Sequence, residues 1–176
     1  MTGPINIRAG FRPVRRDKLI QERVHDTYRA RGKLPEPTVC PDCGAVHHKG
    51  RWQWLPRPDQ AHEQLCPACH RIRDRLPAGY VTLSGGFLGQ HRDEILNLVH
   101  HHGERERTGH PLERIIAVEP YNGGVVVTTT GIHLARNLGE ALEHAYQGRL
   151  EFHYNDGESL LRVDWTRDEK TADRKR

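Results

Sequence analysis

The spacing of apolar positions changes twice along the chain. Ile20, Val24 and Tyr28 recur at i, i+4 steps with Leu19 beside them, which predicts a helix over about 15–33. Pro35 and Pro37 end that element and stiffen the link that follows. Residues 38–78 show no sustained period. From Tyr80 onward the pattern is regular again. Tyr80–Ser84 reads as a strand, and a helix from about Gln90 to Arg107 places Ile95, Leu98, Val99 and His102 on one side. Arg114–Glu119 and Gly124–Thr130 form a predicted hairpin around residues 120–123, with Asn122-Gly123 as the turn signal. A second helix follows over Ile132–Gln147, with Ala135, Leu138, Leu142 and Ala145 as its apolar stripe. Thr130 is its expected N-cap and Gly148 its C′ residue. Strands at about Leu150–Tyr154 and Ser159–Trp165 close the unit across Asn155-Asp156-Gly157. The order β-α-β-β-α-β-β fits an α+β domain, a ferredoxin-like split βαβ sheet with one added strand.

The middle stretch carries the chemistry instead. All four cysteines fall in two pairs, Cys40-Pro41-Asp42-Cys43 and Cys66-Pro67-Ala68-Cys69, with 22 residues between them. A Cys-x-x-Cys turn points two thiolates at one ion, and two such turns complete a tetrahedron. We therefore expect one structural zinc ion on Cys40, Cys43, Cys66 and Cys69, in a zinc ribbon or treble-clef-like module. His47 and His70 flank the pairs and are alternative ligands. With four protein ligands no position is left for water, and folding of the module should depend on the metal. Disulfides are disfavoured by the cytosolic setting inferred below. The chain thus divides into a basic arm (1–37), a four-cysteine zinc module (38–78), an α+β domain (79–166) and a charged tail (167–176).

Charge sharpens this division. The net +4 of the chain, from 27 Lys or Arg and 23 Asp or Glu, averages unlike parts. Residues 1–39 hold nine basic and four acidic side chains, whereas residues 80–165 hold seven and twelve. A basic front half points to a polyanion, and an acidic back half is a poor phosphate binder. The expected RNA contacts are Arg8, Arg12, Arg15, Arg16, Lys18 and Arg23 in the arm. Lys49, Arg51, Trp52 and Trp54 follow in the zinc loop, then Arg71, Arg73 and Arg75 after the second pair. Trp52 and Trp54 share a face if extended, so they either stack on unpaired bases or pack over the knuckles as a miniature core. Several classes are excluded. No run reaches the roughly 20 apolar residues of a membrane span, and Met1 to Arg16 lacks the apolar stretch of a secretory signal. A cytoplasmic protein is expected.

Enzyme chemistry is poorly supported. Leu65 to Arg71 looks like the closing knuckle of an HNH endonuclease, and His47-His48 invites that comparison. No Asn lies between Cys43 and Cys66 to support such a site, however, and the histidines follow Cys43 too soon for the strand it needs. The two serines, Ser84 and Ser159, sit in no Gly-x-Ser-x-Gly motif. The glycine run Gly85-Gly86-Phe87-Leu88-Gly89 lacks the Lys-Ser/Thr of a phosphate loop. His100-His101-His102 point about 100° apart on a helix and cannot converge on one ion. A non-enzymatic protein is expected. A metal-dependent nuclease and a zinc-ribbon DNA-binding regulator are the alternatives.

The stretch from Cys40-Pro41-Asp42-Cys43-Gly44 through Leu65-Cys66-Pro67-Ala68-Cys69 resembles an uncharacterised bacterial zinc-ribbon family. The likeness continues in Gly86-Phe87-Leu88, Asp93-Glu94-Ile95, His110-Pro111-Leu112-Glu113-Arg114-Ile115 and Arg162-Val163-Asp164-Trp165. That family is distantly similar to the N-terminal part of the archaeal and eukaryotic adaptor that binds the large ribosomal subunit during export. The adaptor has further knuckles and domains that are missing here. The resemblance implies binding to the ribosome, through rRNA and ribosomal proteins, with the large subunit or the intersubunit face favoured. It further implies a stress-linked ribosome-silencing (hibernation) role exerted by steric occlusion, with no small-molecule substrate and no membrane.

Overall fold

The structure is a computed structural model that describes residues 12–13, 28, 32–155 and 160–169. All of the helix expected over about 15–33 except Tyr28, Gly32 and Lys33, and the expected contacts Arg8, Arg15, Arg16, Lys18 and Arg23, lie outside the described residues, as does the turn at Asp156-Gly157. A short strand β1 (Arg12–Pro13) pairs antiparallel with a strand near the C-terminus, Arg12 opposite Tyr154.

Residues 38–78 build a small sheet and one helix. Strands β2 (Thr38–Val39), β3 (Val46–His48), β4 (Arg51–Gln53) and β5 (His62–Glu63) lie in the order β4-β3-β2-β5. Lys49 and Gly50, with φ of 52° and 76°, turn β3 into β4 as two left-handed residues, the geometry that matches strand twist. The Glu36 carboxylate accepts from both of their N–H groups, at 3.0 and 2.8 Å, so the turn is capped from the preceding link. Helix α1 (Pro67–Asp74) starts at the second cysteine pair. Cys66 is its N-cap, Pro67 occupies the first turn where no N–H is missed, and Arg75 ends it in the left-handed region.

The rest is a mixed α+β domain. Strand β6 (Gly79–Ser84) leads through α2 (Gly86–Gln90) and α3 (Arg92–Gly109) to β7 (Ile115–Tyr121). Strand β8 (Gly124–Thr129), α4 (Ile132–Tyr146), β9 (Arg149–Asn155) and β10 (Leu160–Thr166) follow. The six-stranded sheet has the order β1-β9-β10-β6-β8-β7. Period-two alternation in the strands and 3.6-residue spacing in the helices meet in one core. Val81, Leu83, Val125, Val127, Leu161, Val163 and Trp165 pack with Ile95, Val99, Leu134, Leu138 and Leu142, all fully buried.

Three details depart from the sequence expectation. The added strand interrupts the ferredoxin-like order: β10 inserts between β9 and β6 and runs parallel to β6. Its fully buried Leu161, Val163 and Trp165 suit an interior position, whereas β9 alternates buried and outward residues. The β7–β8 turn shortens to Asn122-Gly123, both at positive φ, and Pro120 stays inside β7. Strand β7 lies at the sheet's edge, where proline's missing donor is tolerated. Finally, α4 is capped at Gly131 rather than Thr130, because the Thr130 hydroxyl is engaged by residues 112–114. No helix among the described residues is long and apolar enough to cross a membrane.

Candidate metal centre

Two backbone devices bring the sulfurs together. The turn after β2 holds Cys40 and Cys43, closed by the Cys40 N–H donating to the Ala45 carbonyl at 2.8 Å and the Gly44 N–H to the Cys40 carbonyl at 2.9 Å. Gly44 sits at φ 79°, where a side chain would be strained. The N-terminus of α1 holds Cys66 and Cys69. The four sulfurs all lie within 4.8 Å of one another, and all four cysteines are free thiols. Cys43 and Cys66 are 3.8 Å apart at sulfur. A tetrahedron with metal–sulfur distances of about 2.3 Å has sulfur–sulfur edges of about 3.8 Å. The site can hold one four-coordinate metal ion, and its donors fit zinc. Neither His47 nor His70 belongs to the converging group.

The thiols are not equivalent. Burial opposes ionising Cys40, yet the N–H groups of Cys66, Cys43 and Asp42 outweigh it and bring that thiol down to about 7. Burial pushes Cys69 up to about 11 despite the pull of Arg114, and raises Cys66 too, with the neighbouring thiolates adding to its cost. Four thiols this close cannot all ionise without a cation between them, which is what a divalent ion supplies. Backbone donors already point inward. The Cys66 N–H reaches Cys40 sulfur at 3.3 Å, and the Cys69 N–H reaches Cys66 sulfur at 3.4 Å.

A residue that sequence reasoning did not select completes the surroundings. Arg114, 8% exposed and contributed by the loop between α3 and β7, donates through Nη1 to Cys69 sulfur at 3.4 Å. Its Nη2 donates to Cys43 and Cys66 sulfurs, each at 3.2 Å. Leu112 from the same loop packs against the cysteines, as does Trp52. The only sequence signal for Arg114 was its place in the His110–Ile115 motif. That motif gives no chemical reason for it.

The expected RNA contacts separate once their partners are visible. Arg71 is 6% exposed, donates to the Leu76 carbonyl at 3.1 Å and lies 4.7 Å from the centre of the Tyr28 ring. Arg73 donates through Nε and Nη2 to both oxygens of Asp42, at 2.8 and 2.5 Å. Trp52 packs on the cysteines and meets His47 edge to face at 5.4 Å. The Trp54 indole N–H donates to the Arg107 carbonyl at 2.7 Å, and the Arg107 guanidinium sits 5.8 Å from its ring centre. Trp52 thus belongs to the cluster at the knuckles, whereas the exposed Trp54 fastens the ribbon to α3. His47 and His48 face Glu36, with Nδ1 at 3.5 and 4.0 Å from its carboxylate. Lys49, Arg51 and Arg75 remain exposed, and only backbone is described for Arg12. Lys33, Lys49 and Arg51 line a cleft of about 1190 Å³ between the ribbon and the α+β domain, together with His47 and Trp52.

No protein-family model, no curated protein and no solved structure matches this chain, so the reading of the site rests on its own geometry.

Proposed function

We propose that this protein is a zinc-stabilised rRNA-binding protein that associates with the ribosome in the cytoplasm and silences it under stress by occupying a functional surface. In this reading the metal is one structural zinc ion in a treble-clef-like ribbon, preceded by a basic helical arm. The α+β domain is a variant of the ferredoxin-like sheet that orients the arm and ribbon or meets ribosomal proteins. No catalytic residue is required, because exclusion is steric. The observation that carries the proposal is the cleft between ribbon and domain. Lys33, Lys49 and Arg51 line it, all exposed and without an ion pair among the described residues, beside the aromatic groups of His47 and Trp52; the carboxylates in the same lining are engaged elsewhere, Glu36 and Glu113 by backbone N–H groups and Glu106 beside His102. Free cations next to aromatic rings suit a phosphodiester strand more than a protein surface.

Co-sedimentation with ribosomes across a salt series tests this. Binding is expected at low salt and should weaken steeply as salt rises. Lys49→Glu with Arg51→Glu should release the protein and lower the salt slope by about one for each phosphate no longer neutralised. Arg73→Glu, whose parent cation is already held by Asp42, should change pelleting little. Failure to pellet at every salt concentration overturns the proposal.

A further inference from the structure

Arg114 is buried, and among the described residues no carboxylate is a partner of its side chain. Its Nε donates to the Pro111 carbonyl at 2.7 Å, and its two other nitrogens go to the sulfurs of Cys69, Cys43 and Cys66. A guanidinium does not lose its charge by deprotonating, so its burial demands anions nearby. The sulfurs are the groups in contact that can supply that charge, and they do so only as thiolates. Four thiolates around a divalent ion carry a net charge of −2, and Arg114 halves it. The dependence runs both ways: the centre needs a cation, and the cation needs an ionised centre.

The position of Arg114 in the fold gives this pairing a consequence. Its backbone belongs to the α+β domain. The Arg114 N–H donates to the Thr130 hydroxyl at 2.9 Å, the Thr130 N–H donates to the Arg114 carbonyl at 2.9 Å, and the Thr130 hydroxyl donates to the Leu112 carbonyl at 2.6 Å. Thr130 lies between β8 and α4, at the entrance to the main helix of the core. Three sulfurs of one module are therefore tied, through one side chain, to the junction of three elements of the other.

We propose that Arg114 is an outer-sphere member of the metal centre, a positioning residue that neutralises the thiolates and clamps the ribbon onto the α+β domain only while metal is bound. This rests on reading the four cysteines as a metal site. Loss of the ion would remove what holds the three sulfurs together under the guanidinium, so the loop 110–114 should loosen and the ribbon should detach. Outer-shell partners of metal ligands typically contribute about 10–100-fold in metal affinity.

The test uses the full-length zinc-loaded protein. Transfer of zinc to a chromophoric chelator should be about 10–100-fold faster in Arg114→Gln than in the parent. Arg114→Lys, which keeps the charge but not the forked reach to three sulfurs, should fall between them. Leu112→Ala removes packing against the same cysteines without removing charge, and should shift zinc release far less than Arg114→Gln. A folded Arg114→Gln protein that releases zinc at the parental rate overturns the proposal. Should that variant not fold, hydrogen exchange on the parent decides: chelation should speed exchange of the Arg114 and Thr130 amides while leaving Val81 and Val127 protected. Unchanged exchange at Arg114 and Thr130 after zinc removal also overturns it. Metal analysis separates the two levels: no ion bound to the parent refutes the site itself, whereas a bound ion indifferent to Arg114 refutes only the clamp.

Discussion

The ribbon and the α+β domain stay folded by different means. The domain buries nineteen core residues from Ala78 to Trp165 in one continuous cluster, whereas the cluster at the knuckles is Cys40, Cys66, Ala68 and Cys69. At about 25 cal/mol per Å² of apolar surface, the domain has ample means to offset the entropy of ordering its chain. The ribbon does not. Its strands are two or three residues long, and its loop from Leu55 to Gln60 is mostly exposed. A module of that size is held by metal–sulfur bonds or it is not held at all. One part is stable through many weak contacts spread over a core, whereas the other has at one point four sulfurs that could hold a metal ion.

The largest effect should come from taking that point away. Chelating the metal, or replacing Cys66 with Ser, should unfold residues 38–78, since structural zinc contributes about 10–16 kcal/mol in small zinc modules. Trp52 and Trp54 emission should shift red while the far-ultraviolet signal of α3 and α4 persists. Collapse of the whole fold on chelation would break the comparison, because the domain would then depend on the ribbon. The reverse substitution sharpens it. Leu138, fully buried in α4, should cost about 2–5 kcal/mol when changed to Ala, read from denaturant midpoints, with one metal ion per chain retained.

A smaller effect should separate the regions by pH. The half-buried His102 of α3 has its pKa lowered from 6.5 mainly by burial, with Glu106 opposing and Arg105 and His101 assisting. The folded domain therefore binds fewer protons than the unfolded chain just below 6.5. Its stability should rise with pH through that window and fall on acidification through it. His102→Gln should flatten the dependence of the domain's denaturant midpoint between about pH 5 and about pH 7. A slope unchanged by the substitution would assign the pH response elsewhere.

Residue by residue, the legible parts are those governed by near neighbours in sequence. The i, i+4 stripe of Ala135, Leu138 and Leu142, the alternation of Val125 and Val127, and the Asn122-Gly123 turn each follow from local geometry. The cysteine pairs are legible for the same reason, since a two-residue gap sets the angle between two thiolates. The fate of single charges was not. Arg71, Arg73 and Arg75 look alike on paper and end up buried over Tyr28, paired with Asp42, and exposed at a helix end. Which of these a cation becomes depends on an acidic group 31 positions away, or on an aromatic ring farther off still.

The sequence by itself determined the four-sulfur donor set and most helices and strands from Tyr80 onward, because spacing and periodicity act within a few residues. Only the tertiary structure decided that β10 enters the sheet beside β6, that Trp54 fastens the ribbon to α3, and that Arg114 closes over the candidate metal site. Those outcomes turn on pairings between residues 45 to 82 positions apart. No local pattern encodes such pairings; they follow from burying the most apolar strand and from giving a buried cation the anions it requires.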